Sequence, residues 1–292
     1  MRDEVFMSRL RYGLRSIFTS GRGWSILAGS SLATFGVLGG AMQVYDILTP
    51  SATYHPLVMV AVLGLAPIAV GMSRAWPKRT LSRHFGQPDT TLTITVGDLF
   101  DQNTHLVVGY TDTFDTDTSD TRIIHPRSVQ SQFQRRFQPD TAALDQALAT
   151  ALSGTSPSPD SDKTIGKNAR YPIGTVAVLD AGEHRAFCTA YATMGNDLVA
   201  RATVDDIWNS LGKLWDAVHV HASREPVSIA VIGSELAKVD ALDRSSIIRL
   251  IALSFIARSR TTVVTRHLTI VIHPNDVDKV DMLELAAFIT SI

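Results

Sequence analysis

Three short segments carry the residue types that hold a charged small molecule: Gly97-Asp98, Gly109 to Asp120, and Gly233-Ser-Glu-Leu-Ala-Lys238. A glycine-led loop that opens a helix offers backbone N–H groups with no partner inside the helix, and with the helix dipole these cradle a diphosphate. Gly233 and Ser234, followed by Glu235 and Leu236, have that form. It is also the form of an ordinary strand-to-glycine turn, and the chain has neither G-x-G-x-x-G nor G-x-x-x-x-G-K-[ST] to set it apart. Asp98 can accept a hydrogen bond from an exocyclic amine such as adenine N6, or cap the turn after it; taken alone, the cap is the simpler role. Asp112, Asp115, Asp117 and Asp120 invite a calcium reading, but counting from Asp115 the sixth position is not glycine and the twelfth is not glutamate. They are expected to be solvated loop acids. No G-x-S-x-G is present, Gly233-Ser234 has no histidine partner by pattern, and His219 and His221 are not at zinc-site spacing. The expectation is a binding site with no metal, no cofactor and no catalytic residue.

The elements that position these loops alternate. Thr91 to Val96 alternates polar and apolar residues as a strand, and His105 to Tyr110 follows as a second. Thr111 to Thr121 is too rich in short polar side chains to be anything but loop. Ser128 to Phe137 and Thr141 to Leu152 read as helices, Ser153 to Asp162 as a Pro/Ser-rich surface loop, and Thr175 to Leu179 and Ala186 to Met194 as strands. Thr203 to His221 places Val204, Ile207, Trp208, Leu211, Leu214, Trp215 and Val218 at helical spacing, with Thr203 and Asp206 at its start. Then come strand Val227 to Ile232, a helix from Asp243 to about Ala257, strand Leu268 to Ile272 and a helix from Asp276 to about Thr290. Such alternation predicts a mixed, largely parallel sheet covered by helices on both faces, an α/β sandwich of three layers with its ligand loops beyond the strands' carboxyl ends.

Ahead of this domain stand two uncharged runs. Gly23 to Tyr45 has 23 residues and Pro56 to Met72 has 17, and the hydrocarbon core takes about 20 helical residues. With interfacial residues added, helices of about 24–46 and 55–76 form a transmembrane hairpin. Arg2, Arg9, Arg11, Arg15 and Arg22 precede it, Arg74, Lys78, Arg79 and Arg83 follow it, and the turn between has no Lys or Arg. The positive-inside rule therefore puts both ends in the cytoplasm. Segment 1–86 is the basic N-terminus and hairpin, and 87–292 one cytosolic domain. Up to residue 85 there are nine Lys/Arg and three Asp/Glu, leaving eighteen and twenty-five beyond. The basic end fits anionic headgroups, while the acidic remainder argues against a nucleic-acid partner. Cys188 is alone, so there is no disulfide framework. Ser25, Gly29 and Ala33, and Gly36 and Gly40, form small-xxx-small faces suited to self-association.

Taken together, the chain resembles the effector of Thoeris antiphage defence systems, in the variety that joins two transmembrane helices to a macro domain. The resemblance rests on Val107-Val-Gly-Tyr-Thr-Asp-Thr-Phe-Asp-Thr116 and on Ile123-Ile-His-Pro-Arg-Ser-Val-Gln-Ser-Gln-Phe133, with Gly97-Asp98 and Ile232-Gly-Ser-Glu-Leu236 in the places of the opening Gly-Asp and second phosphate loop of macro domains. It implies a ligand site of Asp98 at an adenine, next to Gly97; Thr111, Phe114, Asp115 and Thr116 with Gly233, Ser234, Glu235 and Leu236 at a diphosphate; and Ser128 near the distal ribose, with Gln132 also in the site. The Asn-Ala-Ala-Asn of hydrolytic macro domains is replaced by Gly109-Tyr-Thr-Asp112, which favours binding over catalysis. The ligand implied is an ADP-ribose derivative, such as its histidine conjugate, made by a TIR-domain protein. The output implied is homo-oligomerisation on activation, disruption of the bacterial inner membrane by the two-pass anchor, and abortive infection. Two other readings stand beside this sensor: a membrane-tethered hydrolase of ADP-ribose derivatives in which Asp112 or Asp115 positions water, and an anchored protein-docking scaffold.

Overall fold

Both uncharged runs are helical in the computed structural model, which describes residues 2–49, 55–232, 237–239 and 242–292. Residues 50–54 of the turn between the runs, and Gly233, Ser234, Glu235 and Leu236 of the expected diphosphate loop, lie outside the described residues. The chain divides into two compact units, one of residues 1–79 with 281–292 and the other of residues 80–280.

In the first unit α1 (Arg2–Thr19) ends at Ser20, whose Oγ accepts from Gly23 N and caps α2 (Gly21–Leu48). After the turn, α3 (Pro56–Val60) runs through a π-helical segment, Ala61–Leu65, into α4 (Ala66–Ala75). Leu57–Ala75 and α2 are each long and apolar enough to cross a membrane. They lie side by side. A Cβ at Gly71 would collide with Ser31 Oγ and stand 2.8 Å from Leu27 O, so the absence of a side chain there sets the approach of the helices. Away from this seam large apolar side chains face outward, Leu32, Val37, Ile47 and Leu57 all above 70% exposed. A Cβ at Gly29, Gly36 or Gly40 would meet nothing within 4 Å. The small-residue faces read from the sequence are therefore not the hairpin seam. Gly71→Leu is expected to splay the pair at a cost of about 1–3 kcal/mol, seen as a lower melting temperature of the detergent-solubilised chain; an unchanged melt would show the seam to be plastic.

Among the described residues the second unit is built on a nine-stranded sheet. β1 (Thr80–Gly86) and β2 (Asp89–Val96) form an antiparallel edge pair, so a strand that the sequence reading does not give lies at the end of segment 1–86. β3 (His105–Thr111) follows, then α5 (Val129–Phe137), α6 (Thr141–Ala151) and a small antiparallel ribbon, β4 (Ser158–Pro159) with β5 (Ala169–Arg170). β6 (Val176–Ala181), β7 (His184–Met194) and β8 (Ala200–Ala202) lead to α7 (Val204–His221). β9 (Val227–Ala230), β10 (Ala237–Val239), α8 (Arg244–Thr261) and β11 (His267–Ile272) complete the unit. The order is β1-β2-β11-β9-β3-β7-β8-β10, with β6 on β7. Neighbours from β2 to β7 are parallel, as are β8 and β10; the other pairs are antiparallel.

Period-two alternation divides the core. Val108 and Tyr110 of β3 pack with Phe133, Leu144 and Leu148 of α5 and α6. α7 buries Ile207, Leu211, Leu214, Trp215 and Val218, and α8 buries Ile247, Ile251 and Phe255; Trp215 Nε1 donates to Ser254 Oγ at 3.0 Å. Thr203 and Asp206 form a full capping box. The last predicted helix is broken: a 3-10 segment, Pro274–Lys279, precedes α9 (Met282–Ser291), which Asp281 restarts by accepting from Leu283 N and Glu284 N.

Two histidines, His105 buried and His267 partly buried, set a pH dependence. Burial lowers the pKa of His105, helped by His184 beside it, and burial lowers that of His267. The unfolded chain then binds more protons below the ordinary value of 6.5, so this stability is full above that pH and is lost as the pH falls through it towards the folded values. The melting temperature should decline between pH 7 and 5, and His105→Asn, which keeps an acceptor for Arg185 N, should flatten the decline. An equal slope in the variant would refute the assignment.

Candidate functional site

Beyond the carboxyl ends of β3, β9 and β11 lies a cavity of about 530 Å³, of the size that takes a small-molecule ligand. Parallel strands place their carboxyl ends together, so residues far apart in sequence meet here: Val107 to Thr111, Ala230 to Ile232, and Val271 to His273. The start of α5 forms another wall, His125 to Gln130 with Gln132 and Arg135. Ser128 caps this helix by accepting from Ser131 N at 3.0 Å, so the positive end of its dipole abuts the cavity. Arg135 braces the same turn, donating to Ser131 Oγ at 2.5 Å and to Pro126 O at 3.0 Å. Arg127, exposed, and Arg244, buried and paired with Asp276, add two cations to the lining.

The loop after β3 is ordered by charges buried around it. Asp112 and Asp115 are only 2% and 3% exposed. This corrects their reading as solvated acids, which holds for Asp117 alone of the four: Asp120 is paired with Arg122, whose hydrogen bonds bring its pKa down to about 2. Arg170 donates to Asp112 Oδ2 at 2.5 Å and to Asp160 Oδ2 at 2.6 Å. Asp115 accepts from Thr113 Oγ1 and from Lys167 N, each at 2.6 Å, and pairs with buried Lys163 at 3.5 Å. Gly166, at φ +73°, closes on Asp115 so tightly that a Cβ would fall 2.5 Å from Oδ1. Lys167 Nζ reaches Phe114 O at 3.0 Å and Asp145 Oδ1 at 2.5 Å. Burial raises the Asp145 pKa, but the bonds from Lys167 and Thr116 leave it below its ordinary value. Phe114 itself has φ +48°, costly for a bulky residue. Its ring stacks on Tyr110 and meets the edge of Tyr171, both at 5.5 Å, and this packing holds it there.

Of the residues expected at the site, Thr111, Asp115, Ser128 and Gln132 line the cavity. Phe114 and Thr116 are buried beside the loop, Thr116 donating to Asp145 at 2.6 Å. Gly97 and Asp98 are not among the lining residues; Asp98 caps the 3-10 turn Leu99–Asp101 through Phe100 N at 2.9 Å and pairs with Arg136 at 3.4 Å. Arg127, Tyr191, Arg244 and His273 are lining residues that sequence reading did not single out. Arg127 sits next to Ser128 and was detectable. Tyr191 lies within a strand, and only the pairing of β3 with β7 brings its ring against Gly109, where a Cβ would be 2.5 Å away.

Chemically the lining offers cations, backbone donors and an aromatic ring. Burial pushes the Cys188 thiol and the Tyr110 phenol well above their ordinary ranges, so neither is an anionic nucleophile at neutral pH. Among the described residues no group of three or more His, Cys, Asp or Glu could hold a metal ion.

The family model described as the macro domain of the Thoeris protein ThsA matches residues 92–273. Among solved structures, the Oceanobacillus iheyensis macrodomain with ADP aligns at a TM-score of 0.51 and 15% identity, over 74% of this chain and 100% of that one. A mutant of that macrodomain aligns at 0.50 and 15%, over 72% and 99%. The Trypanosoma brucei macrodomain in complex with ADP-ribose aligns at 0.43 and 9%, over 66% and 68%. At 15% identity the two Oceanobacillus iheyensis alignments show the fold alone. No curated protein matches the chain in sequence.

Proposed function

The chain belongs to the family of the macro domain of the Thoeris protein ThsA, and from that premise we propose that it is a non-enzymatic sensor of an ADP-ribose derivative, anchored in the bacterial inner membrane by its N-terminal hairpin. The observation that carries this reading is the cavity at the carboxyl ends of β3, β9 and β11, closed on one side by the N-terminus of α5 and lined by Arg127 and Arg244. A diphosphate suits that wall, since a helix start and guanidinium groups are the protein's usual anion receptors. A similar fold is known with ADP. The ligand is a product of a TIR-domain enzyme, its histidine conjugate being the leading candidate. Both loop carboxylates that a hydrolase would need are committed, Asp112 to Arg170 and Asp115 to Lys163 and Lys167 N, which supports binding without turnover.

Two-pass insertion with both termini cytoplasmic rests on the outward-facing apolar side chains of α2 and α3 and on the arginines flanking them. Ligand binding favours an assembled state, for which the unoccupied small faces of α2 are suited, and assembly disrupts the membrane and stops the infected cell. For this the ligand must bind the assembled state more tightly than the resting one. Titration calorimetry of the full chain in nanodiscs, with ADP-ribose and with its histidine conjugate, tests the sensor. Saturable binding with intact ligand recovered is expected, and Arg127→Ala should weaken it roughly tenfold. Cleaved ligand would make the protein a hydrolase, and no binding to either compound would sink the nucleotide reading.

A further inference from the structure

The N-terminal helix carries a feature the sensor reading does not use. α1 turns back at Ser20 and lies across one end of the hairpin: a Cβ at Gly13 would collide with the Trp76 ring just after α4, and a Cβ at Gly23 would fall 2.8 Å from Ile17 Cα. Gly71, toward the close of α4, faces Leu27 and Ser31, toward the start of α2, so the start of one helix and the close of the other share that end. Ile17 and Gly13 are buried there, whereas Arg11 and Arg15 on the opposite face of α1 are exposed. Arg22 and Arg74, at the same end of the hairpin, are exposed as well. At this end Phe18 and Trp24 stand about half exposed, with rings 5.5 Å apart edge to face, and Trp24 Nε1 donates to Phe18 O at 3.1 Å. The opposite end, residues 46–55, has no Lys or Arg.

We infer that α1 is an in-plane interfacial helix and that Arg11, Arg15, Arg22 and Arg74 form a collar for anionic phospholipid headgroups. Aromatic rings beside guanidinium groups, directly below which the outward-facing apolar surface begins, match the level of the headgroups in a bilayer. A cation near an anionic leaflet is drawn to it, so arginines gathered at one end of the hairpin give measurable lipid selectivity. The inference rests on the reading of the hairpin as membrane-spanning.

The test uses the full chain in liposomes, with spin-labelled phosphatidylglycerol and phosphatidylcholine reporting which lipid occupies the protein boundary. Phosphatidylglycerol should be preferred severalfold, and the preference should fall clearly in Arg11→Gln/Arg15→Gln, with Arg22 and Arg74 retaining part of it. Arg260→Gln/Arg266→Gln removes the same charge from exposed positions elsewhere and should leave the preference intact. Equal preference in the wild type and in Arg11→Gln/Arg15→Gln, or an equal loss in both variants, would overturn the collar. Release of the wild type from membranes by alkaline carbonate would instead remove the spanning reading, and the collar with it.

Discussion

Asp115→Ala is expected to destabilise the domain by about 3–5 kcal/mol, the usual cost of breaking a buried ion pair. The Lys163 side chain is 1% exposed and that of Asp115 4%, so loss of the carboxylate leaves an ammonium without its counter-charge. It also strips Thr113 Oγ1 and Lys167 N of their acceptor. Lys163 keeps Ile165 O at 2.7 Å and Lys167 O at 2.5 Å, which hold it in place without neutralising it. For a unit of this size the melting temperature should drop by roughly 6–20 °C. Adding Lys163→Met to Asp115→Ala should recover part of the loss, because an apolar side chain needs no counter-charge. A double variant as unstable as the sum of the two singles would show that the pair is not coupled.

The second large effect is on binding. Gly109 has no side chain where β3 passes beneath Tyr191, and the first added carbon would stand 2.5 Å from the ring's Cε1 and 3.1 Å from its Cδ1. A β-branched residue cannot fit there, and the ring, which borders the cavity, would be driven into it. Gly109→Val should therefore reduce affinity for ADP-ribose at least about thirtyfold, or roughly 2 kcal/mol, with the domain still folded. Tyr191→Ala in the same chain should restore most of the affinity by clearing the obstruction. If Gly109→Val binds normally, the cavity beside Tyr191 is not where the ligand sits.

These two residues show what the sequence can and cannot tell. Asp115 is visible as a loop acid, but its partners Lys163 and Lys167 lie about 50 positions away, just beyond the stretch 153–162 read as Pro/Ser-rich surface loop; the ribbon of β4 and β5 brackets them as the chain folds back on the acids. Burial is a property of the assembled fold, so an aspartate in a polar run looks solvated until its lysine arrives. Asp98 shows the reverse. Capping is its simpler role by local chemistry, and Asp98 does accept from Phe100 N, with Arg136 paired beside it. β1 was missed because its partner supplies half the signal: Thr80, Ser82 and His84 are polar and bond to Thr95, Thr93 and Thr91 across the pair.

The sequence by itself determined the two apolar helices, the alternation of strands and helices, the cap at Thr203 and, of the loops nominated for the site, the one after β3, whose Thr111 and Asp115 line the cavity. Those features depend on periodicity and on hydrogen bonds spanning three or four residues, which are local. Only the tertiary structure decided the strand order, the pairing that sets Tyr191 over Gly109, the buried charges behind Asp112 and Asp115, and the position of α1 across the hairpin's end. Each of these joins residues far apart in the chain, and its energy depends on exclusion of water, which no local pattern encodes.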